Sequence, residues 1–236
     1  MKRFCGISVV ALAAAILGGC GGGSADESGS STVYATNAAW ANLYASAHSW
    51  SLSGTVSGSG QNTSVSSTLD LSLLADGTFP GSGEAAKIRR LTTTATANGG
   101  SSSDYVTHYL NASNAFVGTV SSDGSCALPS NVGLPPTSAA MGNSGPLASW
   151  TEYSSCSAGS PQIGTGAATW SVEKADSTPY FCVTNTYTST AAGNSFSSTE
   201  KDCFEINTSG TIGSAAKVSA VYTQNGVNTT VSMSTL

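Results

Sequence analysis

The sequence predicts an all-β protein: an antiparallel meander closing into a barrel-like or sandwich structure, with one short N-terminal helix. Three observations carry this. From Trp50 onward, apolar and small polar residues alternate with period two, which sends successive side chains to opposite faces of a strand. Turn signals recur every ~8–15 residues. No second helical stretch is long enough for the crossover that a parallel sheet requires.

The helix is expected over Asn37–His48, where Trp40, Leu43, Tyr44 and Ala47 follow i, i+3, i+4, i+7 spacing and Thr36 or Asn37 supplies a cap. Trp50 to Val56 alternates as a strand. Val65, Leu69, Leu71 and Leu73 share one face of the next, expected to point inward, and Asp76-Gly77 follows as a turn. Ile88–Thr94, Tyr105–Asn111 and Ala115–Val120 read as further strands, the last two separated by the turn Asn111 to Asn114. The stretch 121–165 carries Pro129, Pro135, Pro136, Pro146 and Pro161 and reads as a long irregular loop. Alternation resumes at Trp170–Val172, Tyr180–Thr188, Ser197–Ile206 and Lys217–Thr223. Asn225-Gly226 then marks a hairpin whose second strand carries Val227, Val231 and Met233. The halves share two features: a tryptophan strand (Trp50, Trp170) and a later strand running into an Asn-x-Ser turn (Asn111 to Ser113, Asn207 to Ser209). Duplication and convergent turn chemistry both account for this.

The N-terminus carries an address. Lys2 and Arg3 form a positive n-region, Ile7 to Leu17 a short apolar run, and small residues precede Cys20. The run is shorter than the ~20 residues of a spanning helix. Leu17-Gly18-Gly19-Cys20 resembles the lipobox of bacterial lipoproteins. That resemblance implies cleavage before Cys20, lipid on its thiol and amino group, and export. Gly21, where lipoproteins retained at the inner membrane often carry Asp, implies the outer membrane, facing periplasm or cell surface. The chain divides into a signal peptide (1–19), a lipidated cysteine with a Gly/Ser-rich tether (20–33), and a single β-domain (34–236).

With Cys5 in the signal and Cys20 lipidated, four of the six cysteines remain: Cys126, Cys156, Cys182 and Cys203. In an oxidising compartment they imply two disulfides with three possible connectivities. A hairpin turn centred at Ala192-Gly193 sets Cys182 opposite Cys203 and Phe181 opposite Phe204. Opposed residues on antiparallel strands lie within disulfide reach. Cys182–Cys203 is therefore expected, leaving Cys126–Cys156. No pair has CxxC spacing, so no redox or zinc site is read.

Charged residues are only 9% of the chain, replaced by Ser, Thr, Asn and Gly, a mix that suits exposed strand faces. Loss of Lys2 and Arg3 leaves six basic against 13 acidic residues, a balance that argues against nucleic acid. The one basic cluster, Lys87 to Arg90, reads as a solvated strand face. Gly142-Asn143-Ser144-Gly145-Pro146 superficially resembles the serine motif of trypsin-like proteases, with His48 and Asp104 preceding it in that family's order. Asn stands for the family's Asp, a glycine before the proline is missing, and Asn-Ser-Gly-Pro is ordinary turn chemistry. No metal spacing joins His48 to His108, and Asp70 and Asp76 read as a strand surface residue and a turn residue. No catalytic residue, metal or cofactor is assigned. The expected role is a non-enzymatic binding, interaction or structural lipoprotein of the envelope, its partners the membrane through Cys20 and an envelope protein or apolar ligand. The alternatives are a periplasmic carrier whose pocket is lined by Trp50, Leu71, Leu73 and Tyr109, and a hydrolase without a recognisable motif.

Cys20→Ser is expected to prevent lipid attachment and leave a soluble or unprocessed precursor, whereas the parent fractionates with the outer membrane; metabolic lipid labelling and membrane fractionation check both.

Overall fold

A computed structural model describes residues 32–235 apart from 59 and 191–194. The signal peptide, Cys20, the tether through 31 and the turn centre at 192 and 193 lie outside the described residues.

The elements are β1 (Val33–Tyr34), α1 (Thr36–Leu43), β2 (His48–Gly58), β3 (Gln61–Leu73), β4 (Gly77–Thr78), β5 (Ala85–Ala97), β6 (Gly100–Leu110), β7 (Phe116–Ser121), β8 (Cys126–Ser130), β9 (Ala139–Ala140), β10 (Ser144–Tyr153), β11 (Gln162–Ala175), β12 (Thr178–Ser189), β13 (Phe196–Ile206), β14 (Ile212–Gln224) and β15 (Val227–Thr235). Twelve of the strands, all but β1, β4 and β9, form a closed antiparallel barrel. The strands follow one another round the wall in chain order, and one ladder joins the first to the last. β15 pairs with β2 from Thr229↔Gly58 to Thr235↔Leu52, and β3 pairs with β5 from Ser66↔Thr96 to Leu73↔Arg89. The expected barrel-like meander is therefore the fold, and closure removes the edges that an open sheet would expose.

Period-two alternation sets the faces. Trp50, Leu52, Val65, Leu69 and Leu71 are buried inside, while Ser49, Ser51, Thr55 and Ser64 are exposed outside. A membrane barrel reverses this, with an apolar outward band. Burying each large apolar side chain contributes ~1.5–3 kcal/mol. Both turns with the sequence Asn-Gly have φ above zero at both positions (Asn98 51°, Gly99 78°; Asn225 51°, Gly226 79°), the geometry of a two-residue type I′ hairpin. Only the second was expected; the first carries the same signal.

The helix is shorter than expected, ending at Leu43, and His48 is the first residue of β2 instead. Its start has no side-chain cap. Thr36 Oγ1 donates to the Pro136 carbonyl and Asn37 Nδ2 to that of Pro135, so both residues moor the helix to the segment before β9. Two further moorings come from the paired Asn-x-Ser turns. In each, the asparagine Oδ1 accepts from the backbone N–H two and four residues on (Asn111 from Ser113 and Ala115; Asn207 from Ser209 and Thr211). Trp40 Nε1 donates to the Asn114 carbonyl at 2.8 Å, the Ala35 N–H to Thr208 O, and Asn42 Nδ2 to Gly210 O at 2.9 Å. The helix is thus held across one end of the barrel. Trp40, 1% exposed, enters that end against Phe116 and Phe181.

The stretch 121–165 is not one irregular loop, because β8, β9 and β10 lie within it. Its prolines sit where the ladder needs no donor. Pro129 lies beyond the two residue pairs that join β8 to β7, and Pro146 lies at a register shift between β10 and β11. Leu73, expected inside, is 42% exposed, because it ends β3 at the barrel rim. Both expected disulfides are present, Cys126–Cys156 and Cys182–Cys203, and the β12–β13 ladder pairs Cys182 with Cys203 and Phe181 with Phe204. The phenylalanines join the interior core, whereas the cystine packs with Tyr180 in a separate cluster. Each bridge contributes ~3 kcal/mol on the loop-entropy account.

Leu71, 2% exposed, lies inside and pairs with Leu91 in the β3–β5 ladder. Leu71→Asp is expected to unfold the domain by placing an unpaired charge in the core at a cost of several kcal/mol, seen as loss of the cooperative thermal transition in circular dichroism.

Candidate functional site

An eight-stranded barrel is just wide enough for side chains to fill, so twelve strands enclose space beyond what a single layer of side chains occupies. At the helix end that space is filled by Trp40, Phe181 and Trp50, the last packed on Phe204 at 4.7 Å. Beyond them two adjoining chambers remain, of about 350 and 400 Å³, sharing Leu91, Val106, Ser121, Glu152, Glu200 and Asp202 in their walls. The second reaches the exposed residues Ser102, Ser122 and Asp123, so the cavity opens at the end away from the helix.

Small residues on β11 make much of the room. Its inward positions Gly164 and Gly166 lie under the rings of Tyr187 and Trp150, where an added Cβ would collide with them. Those rings and Leu71, Leu91, Val183, Ala168, Val218 and Met233 make the wall largely apolar.

The polar groups concentrate on one strand. β13 points Ser198, Glu200 and Asp202 inward between Tyr187 on β12 and Tyr222 on β14. Tyr222 donates its hydroxyl to Glu200 Oε2 at 3.2 Å. Glu152, three strands along the wall on β10, accepts from Ser125 Oγ at 2.7 Å. Asp202 is 6% exposed, and its Oδ1 has no hydrogen-bond partner among the described residues. Burial, reinforced by the charge of Glu200, holds the Asp202 carboxyl well above the usual carboxylate range. Burial also raises Glu200, against the opposing hydrogen bond from Tyr222. Burial and then the neighbouring acids push up Tyr44 (Asp202), Tyr187 (Glu152) and Tyr222 (Glu200). His108 faces the same cavity between Tyr44 and Phe116, and burial lowers it to about 4, so the ring is neutral near pH 7. Among the described residues lining the chambers there is no lysine or arginine. Such a site accepts hydrogen bonds when its carboxyls are ionised and donates them when they are protonated.

Of the four residues expected to line a pocket, Leu71 does so. Trp50 packs in the filled end, Leu73 is exposed at the rim, and Tyr109 points outward onto Phe79 at 5.0 Å. His48 stacks on Trp50 at the helix end, Asp104 accepts from Ser122 near the mouth, and Ser144 is exposed on β10, so these three are not brought together. Asp70 accepts from Ser49 on the outer face, and Asp76 lies 3.7 Å from Arg89. The basic cluster is not a solvated face. The Arg89 side chain is 11% exposed and donates to the Tyr44 carbonyl, while Arg90 lies over the Tyr105 ring at 4.2 Å. Glu173 meets the sulfurs of Cys182 and Cys203, but these are bonded to each other and offer no thiolate. Glu200, Asp202, Glu152, Tyr187 and Tyr222 carry the site and were not singled out from the sequence.

No protein-family model matches the chain, and no significantly similar curated protein or solved structure was found.

A carboxyl with a raised folded-state pKa binds its proton more tightly folded than unfolded. Its contribution to stability is full below the unfolded value of about 4 and is lost as pH rises toward the folded value. Asp202→Asn removes that loss. It is expected to be more stable than the parent at pH 8 by about 1–3 kcal/mol, with the difference shrinking toward pH 4, in thermal melts across that range.

Proposed function

We propose that this chain is an exported lipoprotein, anchored at Cys20, whose barrel binds a small ligand with an apolar body and performs no covalent chemistry on it. The observation that supports this most is the cavity beyond the helix plug, apolar over most of its wall and open at one end. Chambers of this size fall in the range of small-molecule sites, which pair an apolar lining with a few placed polar groups. The polar Ser/Thr outer surface supports a wall that faces water, so that membrane attachment falls to the lipid anchor. On this reading the tether lets the barrel meet its ligand away from the bilayer surface.

The test is a neutral environment-sensitive dye such as N-phenylnaphthylamine. Saturable binding to the purified domain is expected. Ser198→Trp, filling the first chamber, and Ala95→Trp, filling the second, should each weaken it at least about tenfold while leaving the melting temperature within a few degrees. Unchanged dye affinity in both variants rejects the cavity as the site.

A further inference from the structure

We infer that the occupant of the barrel is an organic cation: an apolar body ending in an ammonium group whose N–H donors are taken by Asp202 and Glu200. The inference rests on the ligand-binding reading above and names the chemistry it selects.

Asp202 presents a carboxyl oxygen that is buried, faces both chambers and has no partner among the described residues. Buried polar atoms are rarely left unpaired, and an orphan in a cavity calls for a donor from outside the chain. Glu200 stands beside it on the same strand face, already accepting from Tyr222 and with acceptor capacity remaining. Glu152 adds a third acid to the shared wall, Asp104 and Asp123 line the second chamber toward its mouth, and no lysine or arginine answers them there among the described residues. Arg89 on β5 is engaged with the Tyr44 carbonyl and Asp76. A ligand carboxylate would meet like charge. A divalent metal fits poorly, because these carboxylates do not converge to a common point: the metal-like grouping among the described residues lies elsewhere, at Glu173. An ammonium on a hydrocarbon body satisfies the acids and the apolar wall together. Tyr187, Tyr222 and Trp150 add ring faces that attract cations.

The titratable groups around Asp202 are Glu200 on its own strand, Tyr187 on β12, Tyr222 on β14, Tyr44 after the helix, His108 on β6 and Glu152 on β10, with Asp104 and Asp123 toward the mouth of the second chamber. The tyrosines, with pKa values raised further, and His108, at about 4, remain neutral between pH 5 and 8, so the pH response belongs to the carboxyls. Below their raised values they are protonated and lose attraction for a cation, so affinity rises with pH and binding releases protons.

The experiment is calorimetric titration of the purified domain with decylamine, decanol and decanoate, which share a body and differ in the head group. At pH 8 decylamine is expected to bind at least about tenfold tighter than decanol, and decanoate weaker than either. The amine's advantage should fall at pH 5. In Glu200→Gln/Asp202→Asn, which conserves shape, it should disappear while decanol affinity stays as in the parent. The parent ligand series stands even if that variant does not fold. Equal binding of decylamine and decanol, or preference for decanoate, overturns the cation inference and leaves the cavity reading intact. Binding of none of the three overturns both.

Discussion

The antiparallel ladder between β15 and β2 converts an open meander into a wall with an inside. Without it, Leu52 and Met233 would sit on a sheet margin in contact with water. With it, their side of the sheet becomes a dry interior whose width follows from strand number. The chemistry of the site depends on that dryness. The carboxyls of Asp202 and Glu200 would have ordinary affinities for protons on an open sheet, and they acquire their altered behaviour because closure removes water from around them. Fold and site therefore share one origin.

Two features pull against each other inside this wall. The helix end is filled by Trp40, Trp50, Phe181 and Phe204 and stabilises the fold by ordinary packing. The other end holds acids with no internal counter-ion and glycines where larger residues would pack, and both lower stability. The cystine of β12 and β13 lies on the outer face of the same strands that carry Val183 and Asp202 inward. It reinforces the barrel wall behind the least stable part of the interior without occupying any of the cavity.

The architecture was readable because alternation and Asn-Gly turns are local, and a hairpin register can be deduced from two cysteines and two phenylalanines. That same register contained the site. If Phe181 and Phe204 face the core while Cys182 and Cys203 face away, then Asp202 and Glu200, two and four residues from Phe204, share its inward face. Their acidity conceals this, since acids on strands are ordinarily solvated. Leu73 misleads in the opposite direction: its period is right, but only three dimensions show that the strand has reached the rim. Prolines 129 and 146 resemble loop residues because a sequence does not show which N–H groups a neighbouring strand leaves unclaimed.

The β15–β2 ladder has a consequence for how the chain acquires its shape. Most neighbouring strands are joined by short connections and can zip as hairpins, but Leu52–Gly58 must find Thr229–Thr235 across nearly the whole domain. Long-range pairings of this kind are slow, because the entropy of the intervening chain is lost before their contacts form. Until they form, Val231 and Met233 face solvent on one side of an incomplete wall, and the second chamber lacks that side altogether. A ligand held there touches both partners of the ladder, Leu52 and Met233 among them, so its binding energy would add directly to the barrier against reopening at this junction.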